Sequence, residues 1–392
     1  MELIGVCDTC QKKYKSANRQ GGETKACKCG GTIHFSEDKN ESSASSGSAS
    51  INVAPAKHAS SGSSTEQDQA KVEEVGRAYK KITKEISKKI VGQQEVVEQL
   101  LVSVFAGGHC LLEGVPGLAK TLLINSLCQA LNLNFKRIQF TPDMMPSDIT
   151  GTEIIQDDVN GQRSYKFLPG PIFSNIVLAD EINRTPPKTQ AALLEAMQEK
   201  QVSVGGKVHK LDKPFFVMAT MNPIDQEGTY SLPEAQQDRF LFKIFVDYPS
   251  YEEEIQIAES VTSGISDDIL SVVSGAEILD YQSLVRRMPV SQHVLQYAVK
   301  LVRATRKEKN EAPEFIKDWI NIGAGPRACL ALISAAKARA VLYGRFHVST
   351  EDVAAVSAPV FRHRISANFG AQAEGITSDV IVKKLVETIP QN

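Results

Sequence analysis

Hydrophobic and polar positions recur along this chain with different periods, and each period predicts a different kind of element. Short apolar runs at Cys110-Leu111-Leu112, Ile176-Val177-Leu178-Ala179 and Phe215-Phe216-Val217-Met218-Ala219-Thr220 suit strands of a parallel sheet covered on both faces. A strict alternation at 201–204 and 207–211, broken by Gly205-Gly206, predicts a two-residue hairpin. From Tyr251 onward the helical period dominates. Val294, Tyr297, Ala298 and Leu301 share one face, as do Ile333, Ala336, Ala340 and Tyr343. Gly344 is placed to close one helix, and Ser349-Thr350-Glu351-Asp352 to cap the next. A further helix is predicted to begin near Lys71, with Val72, Val75, Tyr79, Ile82 and Ile86 on its apolar side. Ser, Ala and Gly dominate between Glu37 and Gln69 with no apolar period, which predicts a disordered tether.

Chemistry enters where the first apolar run ends. It leads into Gly114-Val115-Pro116-Gly117-Leu118-Ala119-Lys120-Thr121, with Leu122 next and a helical pattern beyond. Gly114 and Gly117 lack a Cβ and tolerate positive φ, so successive N–H groups can converge on phosphates. The helix beginning near Lys120 adds its free N–H groups and positive dipole end. Lys120 is expected to bridge β- and γ-phosphates and the Thr121 hydroxyl to complete a Mg²⁺ shell. The common pattern places Gly before the Lys; Ala119 stands there, which is tolerable if the position has helical dihedrals. The second run delivers Asp180-Glu181, with Asp180 expected on Mg²⁺ and Glu181 polarising the attacking water. Asn222 follows the third run and is expected to orient that water; locally it also reads as a turn Asn before Pro223. A phosphate loop followed by a strand-end acidic pair makes ATP hydrolysis the leading reading.

Taken together these residues resemble the AAA+ ATPases, and specifically the MoxR family, over roughly residues 72 to 388. The landmarks are Val91-Gly92-Gln93, the loop at 114–121 with its Ala119, Asp180-Glu181-Ile182-Asn183-Arg184 and Ala219-Thr220-Met221-Asn222-Pro223. Leu232-Pro233-Glu234-Ala235, Asp238-Arg239-Phe240 and Gly325-Pro326-Arg327-Ala328 complete them. The resemblance implies an α/β P-loop core with a parallel sheet and a C-terminal helical lid. It also implies an arginine finger at Arg239 reaching a neighbour's γ-phosphate, and a second sensor at Arg327 facing nucleotide in its own subunit. Guanidinium charge suits both tasks, and a surface ion pair is the plain alternative for either. Gly92 and Gln93 are expected to line the adenine pocket, and Arg184 to act between subunits or to cap a helix. The resemblance further suggests that the hairpin at 201–211 faces a pore, and that 144–168 is a second insertion. Either could grip substrate or pack the ring. Arg362-His363-Arg364 reads as a solvated helix end, with contact to a partner or nucleotide as the alternative.

The N-terminal stretch poses a separate question. Cys7 and Cys10, then Cys27 and Cys29 ahead of Gly30-Gly31, read as a pair of Zn²⁺ knuckles, with redox or unstructured thiols as alternatives. The segment resembles a minimal zinc ribbon, and a core this small needs such a staple. Cys110, Cys128 and Cys329 lie in apolar surroundings and read as inert core thiols. The predicted organisation is a zinc-ribbon-like module at 1–36, a linker at 37–70, the ATPase core at 71–248 and the helical lid at 249–392. A formal net charge of −2 over 392 residues argues against an extended nucleic-acid track. No signal peptide or membrane span is legible, so cytoplasmic residence without membrane insertion is expected. The favoured function is a chaperone-like ATPase that forms a ring, hexameric by resemblance, and remodels or activates protein complexes. Metalloenzyme maturation and a von Willebrand factor A domain partner belong to that reading. A nucleic-acid-stimulated motor and a nucleotide-gated scaffold are the alternatives, and the presence of both Glu181 and Arg239 speaks against the scaffold.

Overall fold

The structure is a computed structural model. It describes residues 3–7, 13–16, 24–28, 32–37, 62–157, 163–223, 228–262 and 268–391. The chain divides into two compact units, 1–60 and 61–392.

In the first unit, β1 (Leu3–Cys7), β2 (Lys13–Ser16), β3 (Thr24–Ala26) and β4 (Thr32–Glu37) form an antiparallel sheet in the order β2-β1-β4-β3. Cys7 ends β1 opposite Ile33, and Ala26 ends β3 opposite Thr32, so both strand ends flank the same stretch of β4. Cys27 follows directly and is buried. Cys10 and Cys29 lie outside the described residues. Among the described residues, no group of three or more His, Cys, Asp or Glu side chains could hold a metal ion.

The second unit is built on a five-stranded parallel sheet. Its strands are β5 (Cys110–Glu113), β6 (Phe135–Gln139), β9 (Ile176–Asp180), β12 (Phe216–Met221) and β13 (Phe242–Phe245). Two hairpins interrupt that series, β7 (Gly151–Asp157) with β8 (Arg163–Pro169) and β10 (Gln201–Val204) with β11 (Lys207–Lys210). The sheet order is β13-β5-β12-β9-β6. Successive residues of each apolar run face opposite layers: Leu112, Leu178 and Met218 join one buried cluster, while Leu111, Val177 and Val217 join the other. Burial on both faces explains why these strands read as unbroken apolar runs. Parallel pairing brings the carboxyl ends of β5, β9 and β12 side by side, with Met221 opposite Glu113 and Ala219 opposite Ala179. Ligands of open α/β sheets bind at that edge.

The hairpin expected at 201–211 forms, with Gly205 (φ 57°) and Gly206 (φ 74°) turning it. Positive φ at both turn residues is what the twist of a two-residue hairpin requires. The second insertion consists of a short helix, Pro146–Thr150, and the β7–β8 hairpin. The Phe167 ring stacks 3.8 Å from that of His209, and Lys207 lies 3.8 Å from the Glu153 carboxylate, so the two hairpins lean on each other.

The helix expected near Lys71 runs instead over Gly62–Ile86, taking residues 62–70 out of the predicted linker. It touches both the core and the lid. Tyr281 donates to the Glu74 carboxylate at 2.7 Å, Arg287 pairs with Asp68 at 2.9 Å, and Gly76 packs against Gly344. In the lid, Val294, Tyr297, Ala298 and Leu301 are buried as predicted. Tyr343 departs from its predicted face: it is half-exposed and donates to Glu98 at 3.0 Å, beneath the Arg339 guanidinium. Ser349 accepts from the Asp352 N–H, closing a capping box. Burial pushes the Cys110 and Cys128 thiols up to about 12, as suits inert core residues. No helix among the described residues is long and apolar enough to cross a membrane.

Candidate functional site

The loop after β5 is shaped by close approach and by backbone sign. A Cβ at Gly114 would lie 2.5 Å from the Val246 carbonyl oxygen, so only glycine fits. Gly117 has open space around it but sits at φ 88°, which L side chains rarely adopt. Ala119 corrects the sequence reading. It lies at φ 52°, ψ 24°, left-handed rather than helical, and the helix begins after it, over Lys120–Ala130. The Lys120 ammonium donates to the Gly114 carbonyl, folding back over its own loop. Burial pushes its pKa down, while Asp180, Glu181 and Glu113 oppose that shift.

Asp180 and Glu181 arrive at the end of β9, one strand over. Asp180 Oδ1 accepts from the Thr220 hydroxyl at 2.6 Å, and Oδ2 accepts from Arg137 Nε at 2.9 Å and a terminal guanidinium nitrogen at 2.6 Å. Thr220 in turn accepts from the Glu181 N–H at 2.9 Å, locking the two strand ends together. Glu181 turns the chain at φ 58°, and its carboxylate accepts from Gln139 at 2.7 Å, with Arg184 at 3.3 Å. Arg184 is thus bound to Glu181 within its own chain. Lys120, Thr121, Asp180, Glu181 and Asn222 line one cleft together with Arg137, Gln139 and Thr220.

Sequence reading assigns none of the last three a role at the site: Thr220 reads only as part of a buried strand and a family landmark, and Arg137 and Gln139 are not singled out. Arg137 and Gln139 sit two apart on β6, the edge strand, and so project to one side of the sheet. That alternation was the available signal, but nothing local said that the side in question faced the acidic pair.

Beside this cleft lies an apolar pocket. Val115 packs against the core beneath the loop, while Pro116, Gly117, Leu118, Ala119 and Leu122 form one wall. Ile90, Val91, Gln93, Tyr248 and Ile257 face them. Gly92, expected here, is not among the residues lining this pocket; it sits at φ 65°, where a Cβ would collide with the Glu253 carboxylate.

Arg239 and Arg327 are elsewhere. They share a second cleft with Asp238, His109, Met197 and Gln198. Arg239 donates to the Leu194 carbonyl at 3.1 Å, and Arg327 stands 3.5 Å from the Asp238 carboxylate. Arg327 was expected to face its own chain's nucleotide, yet it does not line the phosphate cleft.

The reason lies in Arg362-His363-Arg364, which is a buried clamp and not a solvated helix end. Arg364, 3% exposed, pairs with Asp238 at 2.8 Å and donates to the carbonyls of Val360, Phe240, Leu241 and Asp238. His363 bonds the Phe240 carbonyl at 3.1 Å, and burial pushes its pKa well below the usual imidazole range. Arg362 pairs with Asp379 and lies over the Phe245 ring. The clamp seats the lid on the segment leading into β13, and this carries Arg327 to Asp238.

Comparison with known proteins agrees with this geometry. The family described as ATPases associated with various cellular activities (AAA) matches residues 109–242, from just before β5 to the start of β13. An AAA lid domain matches residues 315–385. Chaperone MoxR1 of Mycobacterium tuberculosis is 44% identical over 307 residues, covering 78% of this chain and 80% of that protein. The uncharacterised protein YeaC of Bacillus subtilis is 39% identical, covering 79% of this chain and 93% of the relative. The crystal structure of a candidate ATPase from Cytophaga hutchinsonii superposes with a TM-score of 0.77 at 40% identity, covering 84% of this chain and 99% of that one. Chaperone MoxR1 carries this level of identity across most of both chains, and the two matched regions coincide with the parallel-sheet core and the helical lid. The chain belongs to the MoxR family of AAA+ ATPases.

Proposed function

We propose that the protein is an ATP-hydrolysing, chaperone-like machine of the MoxR type, acting in the cytoplasm on protein complexes. One observation carries this reading: Lys120, Thr121, Asp180, Glu181 and Asn222 line a single cleft beside a loop in which Gly114 has no room for a Cβ and Gly117 holds a positive φ. The apolar pocket next to it suits a purine base. In the cleft, Lys120 would leave the Gly114 carbonyl for β- and γ-phosphate oxygens. Glu181 accepts the proton of the attacking water, and Asn222 orients that water for in-line attack. The buried Asp180 carboxylate and the Thr121 hydroxyl are hard oxygen donors that fit Mg²⁺, which when bound neutralises charge on the phosphate oxygens.

The assignment extends to assembly. Arg239 and Arg327 share a cleft apart from their own chain's phosphate loop, and this supports both acting on a neighbour's nucleotide. The ring is hexameric in this reading. Its clients are protein complexes, including those matured with a von Willebrand factor A domain partner. Chaperone MoxR1 bears the name that fits this role. The hairpin lysines give little support to a nucleic-acid motor, since Lys207 lies beside Glu153. The N-terminal sheet is read as a zinc module held by Cys7, Cys10, Cys27 and Cys29. Cys7 ends β1 and Cys27 directly follows β3, two strands that flank the same part of β4, which supports this reading.

The test is Glu181→Gln. ATP binding should persist while hydrolysis falls by about 100-fold or more, the usual size of a lost general base. Retained hydrolysis would remove Glu181 from the mechanism, and loss of ATP binding would assign it to holding nucleotide instead of activating water.

A further inference from the structure

Two groups claim one oxygen in the phosphate cleft. Asp180 Oδ1 is engaged by Thr220, and Oδ2, the oxygen left for a metal, is engaged twice by Arg137. Arg137 comes from the neighbouring edge strand, where Gln139 is in register with Asp180, and its guanidinium also donates to the Gln139 side chain. The two partners differ in freedom. The Asp180 side chain is 13% exposed and held by a strand end, whereas the Arg137 side chain is 47% exposed at the mouth of the cleft.

A carboxylate this enclosed is costly without a counter-charge, and Thr220 alone supplies none. Arg137 meets that need. Lys120 already stands in the same cleft, so a divalent cation arriving alone would find the charges of Asp180 and Glu181 already matched by Arg137 and Lys120. A nucleotide triphosphate reverses the balance, because its phosphates attract Mg²⁺, Lys120 and Arg137 together.

Resting on the nucleotide-site reading above, we propose that Arg137 is the resident counter-cation of Asp180. It yields Oδ2 to Mg²⁺ only when the metal arrives with nucleotide, and its guanidinium then turns to the phosphates it shares the cleft with. Arg137 thereby makes metal binding conditional on nucleotide, as a positioning residue acting through Asp180.

The experiment titrates Mg²⁺ against binding of a fluorescent ATP analogue to the full chain, for wild type, Arg137→Gln and Arg137→Lys. Calorimetry with Mg²⁺ alone runs alongside. For Arg137→Gln the Mg²⁺ concentration at half-maximal analogue binding should fall by about tenfold, near 1.4 kcal/mol of released competition. Mg²⁺ binding without nucleotide should become measurable in that variant. Arg137→Lys, which keeps the charge but not the forked contact, should fall between the two. An unchanged or raised Mg²⁺ requirement in Arg137→Gln, with nucleotide still bound, overturns the proposal and leaves the nucleotide site standing. Failure of wild type itself to bind the analogue overturns both.

Discussion

Ala119 holds a left-handed conformation that costs an L-residue roughly 1–2 kcal/mol relative to the right-handed one. Its small side chain keeps that cost near its minimum, and the loop next to Lys120 requires the turn. Glycine would relieve the strain but adds about 0.4–1 kcal/mol of unfolded-state entropy to be overcome. Ala119→Gly should therefore change stability by between zero and about +1.6 kcal/mol, while Ala119→Val, β-branched at positive φ, should lose more than ~1 kcal/mol. Denaturant unfolding of the three proteins checks this, and a clear loss in Ala119→Gly would refute the strain. The residues of the phosphate loop and the acidic pair were legible because each motif is contiguous in the chain. Arg137, Gln139 and Thr220 were not, since their importance rests on which strand lies beside which. Residues 137 and 180 meet only because β6 pairs with β9.

Among the elements, periodicity predicted the two-faced strands, the hairpin at 201–211 and the capped helix after Ser349, because each is decided by near neighbours. It placed the start of the first long helix too late, since residues 62–70 carry little apolar signal. It also misread Arg362-His363-Arg364. Three consecutive polar residues look solvated unless their partners are known, and those partners include Asp379 and, more than a hundred residues away, Asp238 and the Phe240 carbonyl. The N-terminal sheet carries its own prediction. The intact chain should purify with about one zinc per molecule, matching a four-thiolate site, and Cys7→Ser should lose most of it. Metal analysis of both proteins decides the matter, and wild type without zinc would dismiss the module's assignment.

At the scale of the whole molecule, one apolar cluster runs from the Gly62–Ile86 helix through β5 to the lid, so core and lid share a continuous interior. Arg364 pins that lid to Asp238, the residue before Arg239, which couples the lid to both arginines of the second cleft. If those arginines serve a neighbour, inactive chains of two kinds should complement each other. Mixing Arg239→Ala with Lys120→Ala chains should recover part of the ATPase rate at mixed interfaces. No recovery, with mixed assemblies shown by mass, would count against action between subunits. The amino-acid sequence by itself determined the strand–loop–helix, the acidic pair, the hairpin and the family, because short-range periodicity and contiguous motifs carry that information. Only the tertiary structure decided that Asp180 is shared with Arg137, that Arg327 joins Arg239 at Asp238, and that the Arg362–Arg364 segment is a buried clamp. Those outcomes depend on strand order and on how the lid packs, and charged groups distant in the chain reveal their partners only once folding has removed water from around them.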